Sequence, residues 1–330
     1  MNANQSDKIR ASLLDAGYCE AKMESDAEIL IFNTCCVRNT AEQKILSHIA
    51  VASRLDRYKI AVVGCLAQKN KKFKGADIVL GTHNLHKLAE ALRHDKFIEI
   101  VSQRQNTDFD SITSKSIEIT YGCDNSCTYC IVPSVRGNLI SRKSSEIINE
   151  FKQTNEPLVF LLGQNVNSYV CPDTGMDFPE LLDELCKLNK CMINFMSSHP
   201  RDFSNKLVDV IANNDSIEKR IHLPIQSGCD RILELMNRGY TVADYKKKVD
   251  YLREKIPNVK ITTDVICGFP TETEEEFRQS AETLKTIGFE SAFVFPYSRR
   301  SGTVADEMEG QIDHKTKKRR TTELLKELKT

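Results

Sequence analysis

Three cysteines lie close together in the stretch ITYGCDNSCTYCIVPSVRG, residues 119–137. Cys123, Cys127 and Cys130 follow a short alternating apolar run, which is typical of a β-strand. A disulfide uses two thiols and a closed structural zinc site usually takes four ligands, so three thiols on one loop indicate a metal centre with one open position. A four-iron cluster fits this pattern, because iron–sulfur clusters are bound by cysteine thiolates.

Two other interpretations stay open. Cys127 and Cys130 form a CxxC pair that could hold zinc with two ligands from elsewhere, and small cysteines also fill protein cores. The chain has 12 cysteines, a high number for a reducing compartment, where disulfides rarely persist. Metal binding or catalysis is therefore the better explanation of the clustered cysteines, and their spacing at a strand end favours the iron–sulfur cluster.

The composition is that of a globular protein, with 330 residues, 40% of them hydrophobic and 28% charged. The net charge of zero gives no overall attraction to nucleic acid, so such a partner would need a local basic patch. No apolar run approaches membrane-spanning length, and the N-terminus lacks the pattern of a signal peptide. We therefore expect a cytoplasmic protein with no membrane partner.

The first part of the chain alternates between strand and helix patterns. Strands are predicted at 28–35, 59–65 and 76–81, and helices at 4–17, 40–55 and 84–94. Such alternation predicts an α/β domain with an open parallel sheet over residues 1–105. The polar, unpatterned segment 101–116 is the predicted domain boundary.

Six further strand patterns follow, separated by helical patterns, and a polar or glycine-bearing cluster stands at the C-terminal end of each. The strands are predicted at 116–122, 158–164, 192–198, 220–226, 260–269 and 291–298. In parallel β/α barrels the loops at that end converge on one mouth, which holds the chemistry. The pattern predicts a partial, six-unit TIM-like β/α barrel over residues 106–310, and then a basic helical tail over 311–330.

The CxxxCxxC motif after the first of these strands resembles the radical S-adenosylmethionine (SAM) superfamily. The words SSHPRDFS, HLPIQSGCDRILELMNRGYT, TTDVICGFPTETEEEF and YSRRSGTVADEM are similar to those of the methylthiotransferases within it. LLGQNVNSY resembles the tRNA-modifying, MiaB type in particular. The resemblance covers nearly the whole chain, and it implies a barrel of the radical SAM type.

The resemblance also implies the cofactors and the reaction. Cys123, Cys127 and Cys130 would hold a [4Fe–4S] cluster, SAM would bind its open iron, and one electron would split SAM to a 5′-deoxyadenosyl radical. The implied reaction places a methylthio group on C2 of N6-(dimethylallyl)adenosine at tRNA position 37. No side-chain acid or base could remove that hydrogen, so no catalytic acid or base is expected. The implied partners are tRNA and an electron donor such as flavodoxin or ferredoxin.

The family carries a second, auxiliary [4Fe–4S] cluster on three N-terminal cysteines. By resemblance, Cys35 in NTCCVR and Cys65 in VVGCLAQ are two of its ligands. The third would lie in a word that precedes MNANQSDKI, so we expect the opening strand and its cysteine to be missing, which leaves a strand edge uncovered. Cys36 or Cys19 could substitute, although neither fits the family pattern. The family's small RNA-binding TRAM domain would follow Thr330.

Polar residues at the strand ends are the candidates for positioning SAM or the substrate. Gln164, Ser198, Gln226 and Asp264 could form hydrogen bonds to ribose, carboxylate or adenine, whereas the two glutamines could instead satisfy loop backbone. Arg136 and Arg142, in VRGNLISR, could pair with a carboxylate or a phosphate. Arg142 could instead lie on an exposed helix start. Seven other residues are expected to be structural: His199, His222, Cys171, Cys186, Cys191, Cys229 and Cys267.

Two alternatives to the implied function stay open. One keeps the chemistry but changes the substrate to threonylcarbamoyladenosine in tRNA or to a ribosomal protein. The other is a cluster-binding remnant that cleaves SAM without transferring sulfur, because the third auxiliary ligand and the RNA-binding domain are expected to be missing.

Overall fold

The computed structural model describes residues 2–36, 39–70, 72–101 and 115–328. The chain divides into two compact units. The first contains the described residues of Met1–Ser114 with Tyr121–Asp124 and Ile131–Leu139, and the second contains Lys115–Thr120, Asn125–Cys130 and the described part of Ile140–Thr330. Most of the predicted boundary segment, residues 102–114, lies outside the described residues, so the domain limits stay predictions.

The first unit is built on a parallel sheet with the strand order β1-β2-β3-β4. Its elements are α1 (Asn2–Asp15), β1 (Ile29–Thr34), α2 (Asn39–Arg54), β2 (Lys59–Gly64), α3 (Cys65–Lys69), β3 (Ile78–Gly81), α4 (Leu88–Ala91), β4 (Phe97–Glu99) and α5 (Val132–Arg136), with 3-10 turns at Glu24–Asp26 and Leu85–Lys87. The predicted open parallel sheet is confirmed. Strand β4 was not predicted.

The central strand β2 is buried on both faces of this sheet. Ile60 and Val62 join one apolar cluster, whereas Ala61 and Val63 join another on the opposite side. Burial on both faces is typical of parallel sheets, and it explains why this strand is a continuous apolar run in the sequence.

Strand β1 forms an edge of the sheet. A groove of about 850 Å³ runs beside it, lined by α1 and by residues 18–24 and 26–28. Leu14 and Met23 line this groove with 49% and 65% of their surface exposed. Strand β1 is thus the outer strand among the described strands of this sheet, and the loss of an opening strand stays a prediction.

The second unit contains two parallel three-stranded sheets, ordered β5-β8-β9 and β10-β11-β12. A two-stranded sheet, β6-β7, is also present. The strands are β5 (Ser116–Glu118), β6 (Thr120–Tyr121), β7 (Ile140–Ser141), β8 (Leu158–Leu162), β9 (Met192–Phe195), β10 (Arg220–His222), β11 (Lys260–Cys267) and β12 (Ser291–Pro296). The helices are α6 (Ser144–Gln153), α7 (Phe178–Lys187), α8 (Asn205–Asn213), α9 (Asp230–Leu235), α10 (Val242–Lys255), α11 (Glu274–Ile287), α12 (Val304–Glu307) and α13 (His314–Glu327), with 3-10 turns at Val166–Ser168 and Pro200–Asp202.

All six predicted strand positions are occupied by strands. A parallel bridge between Ile193 and Ile217 links the end of the first three-stranded sheet to the segment that leads into β10. The apolar sides of the helices and strands share one buried cluster, which contains Phe151, Phe178 and Tyr245. The fold is thus an α/β fold with parallel sheets, and the six-unit count of the barrel stays a prediction.

The predicted basic tail is the helix α13, and its arginines are used within the second unit. Arg320 is buried and forms an ion pair of 2.8 Å with Glu272, and Arg319 pairs with Glu274 at 2.6 Å. Lys315 and Lys318 of the same run remain exposed. In the part of the chain that the structure describes, no helix has both the length and the apolarity to cross a membrane.

Candidate metal and cofactor site

Gly122 starts the cysteine loop at a point where two backbone segments approach closely. Its φ is +68°, and a Cβ atom there would lie 2.0 Å from the carbonyl oxygen of Asn138. Next to it, the amide of Cys123 donates to the carbonyl of Gly137 at 3.1 Å. Only glycine fits both the left-handed backbone and the close approach, so Gly122 fixes where Cys123 leaves the strand.

The loop residues that carry the other two cysteines are held by the end of α9. The amide of Thr128 donates to the carbonyl of Met236 at 3.1 Å, and the Thr128 hydroxyl donates to the carbonyl of Leu235 at 2.8 Å. Asn237 donates to the carbonyl of Ser126 at 3.0 Å. Within the loop, the amide of Cys130 donates to the carbonyl of Cys127 at 3.0 Å, which forms a turn between the two cysteines.

Arg238 follows this anchor and contacts Cys127 directly. Its Nη1 lies 3.3 Å from the Cys127 sulfur and 3.3 Å from the Tyr129 hydroxyl. Burial acts to lower the pKa of Arg238, but Tyr129, Tyr240 and Cys127 outweigh it and the pKa is raised. Arg238 therefore keeps its charge beside this sulfur, a contact that the sequence analysis missed.

His199 also lies near Cys127. Its Nε2 is 4.0 Å from the Cys127 sulfur, and its Nδ1 accepts a hydrogen bond from the amide of Arg201 at 3.3 Å. Burial and the charge of Arg238 lower the pKa of the His199 ring to about 3, so the ring is neutral. The ring thus caps the 3-10 turn that follows it, which agrees with the structural role expected for this histidine.

The metal-binding potential of the loop rests on its donor chemistry. The described residues contain no group of three or more His, Cys, Asp or Glu side chains close enough to hold a metal ion. This applies to both interpretations of the loop, since neither a zinc ion nor a four-iron cluster has a preformed group of three ligands among the described residues. Three thiols on a short loop remain the donor set that a four-iron cluster takes with one iron left open, and in this sense the residues fit that group.

Two of the candidate cofactor residues follow β8 and β9. The amide of Val166 donates to the carbonyl of Ser197 at 3.4 Å, which ties the two strand ends together beside Gln164 and Ser198. The Ser198 hydroxyl is buried and has no hydrogen-bond partner in the described part of the chain. A buried hydroxyl without a partner is costly, so Ser198 fits a polar ligand that would complete it.

The other two candidates meet at β11. The amide of Gln226 donates to the carbonyl of Asp264 at 2.9 Å, and the carbonyl of Gln226 accepts from Ile266 at 2.9 Å. Gln226 has a φ of +70°, a conformation that is uncommon for a residue with a side chain. The Asp264 carboxylate lies 3.5 Å from Nε2 of His222. The structure thus brings Gln226, Asp264 and His222 together at one strand end.

Side chains of the GQNVNS motif, residues 163–168, form hydrogen bonds with the loop 199–202. Asn165 donates to the carboxylate of Asp202 at 2.7 Å, and Ser168 donates to the same carboxylate at 3.1 Å. Asn167 accepts from the amide of His199 at 3.0 Å. Much of this motif therefore positions the loop 199–202.

Arg142 does not support its predicted contact with cofactor or substrate. Its Nη1 donates to the Glu150 carboxylate at 2.7 Å and to the Glu118 carbonyl at 2.9 Å, and only 2% of its side chain is exposed. The expected carboxylate partner is thus Glu150, inside the core. Nor does Arg142 lie on an exposed helix start. No pattern in the sequence indicates that an arginine pairs inside the core with a glutamate eight positions later.

The auxiliary cysteines lie at the ends of two paired strands. Thr34 and Gly64 are register partners, so Cys35 follows β1 beside the point where Cys65 follows β2. Cys36 is completely buried and belongs to the same apolar cluster as Cys65, whereas Cys19 is exposed. Of the two possible substitutes, Cys36 is the one placed beside a family ligand.

The thiols of Cys36 and Cys65 are coupled by a hydrogen bond. This bond and the charge of Arg136 together lower the pKa of Cys65 to about 6 despite its burial. The same bond and burial raise the pKa of Cys36. Arg136 also lies 3.4 Å from Oε1 of Gln5. Its contact with Cys65 was not predicted from the sequence.

The structural role of five further cysteines stays a prediction. Cys191 is partly exposed and the others are buried: Cys171, Cys186, Cys229 and Cys267. Hydrogen bonds from Ser144 and Thr174 outweigh burial and lower the pKa of Cys171 to about 6.

Family models match both parts of the chain. A model of the radical SAM superfamily matches residues 117–284, and a model described as the uncharacterised protein family UPF0004 matches residues 1–81. In solved structures, the chain is similar to the cobalamin-dependent SAM radical enzyme OxsB with aqua-cobalamin bound. That match has a TM-score of 0.55 at 12% identity and covers 91% of this chain and 48% of that one. At this identity it shows the radical SAM fold alone.

Curated relatives cover nearly the whole chain. Proteins of Natranaerobius thermophilus and Clostridium tetani, each named tRNA-2-methylthio-N(6)-dimethylallyladenosine synthase, are both 40% identical over 98% of this chain and 78% of their own length. A protein of the same name from Carboxydothermus hydrogenoformans is 39% identical over 98% of this chain and 80% of its own length. The chain therefore belongs to the radical SAM superfamily and, within it, to the methylthiotransferase family of the tRNA-2-methylthio-N(6)-dimethylallyladenosine synthases.

Proposed function

We propose that this chain is a transferase that methylthiolates C2 of N6-(dimethylallyl)adenosine at tRNA position 37, giving 2-methylthio-N6-(dimethylallyl)adenosine. One observation carries the proposal: relatives that bear the name of this activity are 40% identical over 98% of the chain. The cysteine loop with its three thiols lies inside the segment that matches the radical SAM superfamily. Neither alternative substrate, threonylcarbamoyladenosine or a ribosomal protein, has comparable support.

Membership of the radical SAM superfamily implies SAM and a [4Fe–4S] cluster. Cys123, Cys127 and Cys130 would hold this cluster. When bound, the cluster and SAM supply one-electron chemistry that can break the C2–H bond of the adenine, a bond far outside the range of side-chain bases.

The side chains at the strand ends would bind and orient SAM. Ser198 would donate its buried hydroxyl to a polar group of SAM, because that hydroxyl has no partner among the described residues. Asp264 and Gln226 share one strand end, where a carboxylate and an amide can recognise ribose hydroxyls or the adenine edge. Gln164 follows β8 and offers a further amide.

The auxiliary cluster would be held by Cys35 and Cys65, with Cys36 as the third thiol. Cys36 is proposed because it is buried next to Cys65, within hydrogen-bond reach of it. Arg136 and the hydroxyl of Thr82 both donate to the Cys65 sulfur and favour its thiolate form. This thiolate is the form that binds iron. The auxiliary cluster would deliver the sulfur.

The proposed partners are tRNA and a low-potential electron donor such as flavodoxin or ferredoxin, in the cytoplasm. The exposed lysines of α13, Lys315 and Lys318, could contact phosphates, since the neighbouring arginines are already paired with glutamates.

The test is an anaerobic assay with reconstituted protein, SAM, a reductant and tRNA that carries N6-(dimethylallyl)adenosine. Mass spectrometry of the digested tRNA should show 2-methylthio-N6-(dimethylallyl)adenosine, and the triple variant Cys123→Ala, Cys127→Ala, Cys130→Ala should give none. Release of 5′-deoxyadenosine without any methylthiolated nucleoside, from protein that holds both clusters, would contradict the proposal. That result would instead support a remnant that cleaves SAM only.

A further inference from the structure

The Arg238 guanidinium lies beside one sulfur of the cysteine loop and is fixed there from several sides. Besides its contact of 3.3 Å with the Cys127 sulfur, Nη2 donates to the carbonyl of Pro224 at 3.3 Å and Nε donates to the Tyr240 hydroxyl at 3.1 Å. The residue is 4% exposed. A long charged side chain is rarely buried unless its charge has a partner.

Among the residues that the structure describes, the partners of Arg238 include no carboxylate that would form such a pair. Its hydrogen-bond partners are two hydroxyls, one carbonyl and the sulfur of Cys127. The sulfur is the only one of these groups that would carry a full negative charge at neutral pH, once it binds iron as a thiolate. The position of Arg238 is therefore best explained by an anionic sulfur at Cys127.

We propose that Arg238 is a positioning residue for Cys127, which orients this sulfur by a charge-assisted hydrogen bond and makes the cluster bound there easier to reduce. The inference rests on the proposed function, since it assumes a cluster on this loop. Reduction adds one negative charge, which a fixed positive charge in a poorly solvated place stabilises. Hydrogen bonds to the sulfurs and the nearby charge are among the factors that set the potential of such clusters.

The reconstituted protein would be titrated anaerobically with dithionite and followed by electron paramagnetic resonance. The signal of the reduced cluster that changes when SAM is added identifies the cluster on the cysteine loop. In Arg238→Met we expect the equilibrium constant for reducing this cluster to fall about tenfold, a shift of about 59 mV to more negative potential. Arg238→Lys keeps the charge and should recover part of the shift.

Arg231→Met is the matched control. Arg231 lies on α9, seven positions before Arg238, and pairs with Glu276 instead of a cysteine. This variant should leave the potential unchanged. An unchanged potential in Arg238→Met, with the iron content of the wild type, would overturn the inference. If Arg238→Met loses iron, the potential is measured in Arg238→Gln, which removes the charge and keeps a hydrogen-bond donor. An unchanged potential in that variant would likewise overturn the inference.

The outcome is independent of sulfur transfer. A negative shift in Arg238→Met supports the inference even if the wild type makes no methylthiolated tRNA. Wild-type protein that takes up no iron on this loop would overturn the inference and the proposed function together, and wild-type zinc analysis would then identify the competing metal.

Discussion

Cys36 and Cys65 are in hydrogen-bond contact at the ends of two neighbouring parallel strands, and Cys36 is completely buried. The sequence motif alone favoured Cys35 over Cys36, because Cys35 occupies the position that resembles a family ligand. Cys35 directly precedes Cys36, so three cysteines follow the C-terminal ends of these two strands in the sequence. This relationship leads to the first prediction.

Replacing Cys36 by serine should remove the auxiliary cluster. Reconstituted wild-type protein should hold about eight irons per chain, two clusters of the four-iron type, and Cys36→Ser should hold about four. The reason is that serine offers no thiolate beside Cys65. Iron and acid-labile sulfide analysis of the purified proteins measures the difference.

Cys19→Ser is the matched control for that experiment, because Cys19 is exposed. It should keep the iron content of the wild type. A loss of iron in Cys19→Ser with no loss in Cys36→Ser would show that the wrong cysteine had been assigned.

Gly122→Ala should disturb the cysteine loop. The added Cβ would lie 2.0 Å from the Asn138 carbonyl oxygen, in addition to the strain of a φ of +68°. We expect a clear loss of iron from the loop cluster, read from the SAM-responsive resonance signal. Gly175→Ala isolates the effect, because Gly175 has a φ of +72° but nothing within 4 Å of the new atom. Both variants carry backbone strain of about 1–2 kcal/mol, so equal behaviour would refute the role of the close approach.

Ser198→Ala should separate cofactor binding from stability. The Ser198 hydroxyl is buried without a partner, so removing it should leave the thermal unfolding midpoint of the apoprotein unchanged or raise it. Binding of SAM should become about tenfold weaker, equivalent to ~1.4 kcal/mol, because a hydrogen bond to the ligand is lost. Calorimetric titration of the cluster-loaded protein with SAM gives the affinity. Unchanged affinity for SAM would remove Ser198 from the site.

The ion pair of Arg231 with Glu276 should make stability depend on pH. The hydrogen bond from Arg231 lowers the pKa of Glu276 from 4.5 to about 2. A carboxyl group with a lowered pKa in the folded protein stabilises the folded state at any pH above its pKa in the unfolded chain. This stabilisation is lost as the pH falls through the pKa of the folded protein. The difference in free energy of unfolding between wild type and Arg231→Met should thus be largest above pH 4.5 and should shrink toward pH 2.

Urea unfolding midpoints at a series of pH values measure this difference. Arg253→Met is the control, because Arg253 donates to the carbonyl of Gly288, a group that does not titrate. A difference between wild type and Arg231→Met that stays constant from pH 7 to pH 2 would contradict the assignment.

The order of the elements was largely predictable from the sequence because the patterns are strong. The helix at Ser144–Gln153 and the strands at Leu158–Leu162 and Lys260–Cys267 combine regular apolar periodicity with polar ends. Short elements were missed. The strand Phe97–Glu99 has three residues and the helix Asp230–Leu235 has six, too few to show a period.

The thiols of the candidate site were predictable, but their surroundings were not. The spacing of Cys123, Cys127 and Cys130 identifies a local motif. By contrast, Arg238 approaches Cys127 across 111 residues of sequence, and Arg142 pairs with Glu150 inside the core. Such contacts depend on tertiary packing, which leaves no regular signal in the sequence. Burial also decided between Cys19 and Cys36, since both are cysteines outside the family pattern.

The central claim is that Cys123, Cys127 and Cys130 bind an iron–sulfur cluster with an open iron. The most direct measurement is metal analysis with electron paramagnetic resonance on an anaerobically purified variant in which Cys35, Cys36 and Cys65 are all serine. The account predicts about four irons per chain and a reduced signal that changes when SAM is added. A colourless protein that holds zinc instead of iron would contradict it, and so would an iron-loaded protein whose resonance signal is unchanged by SAM.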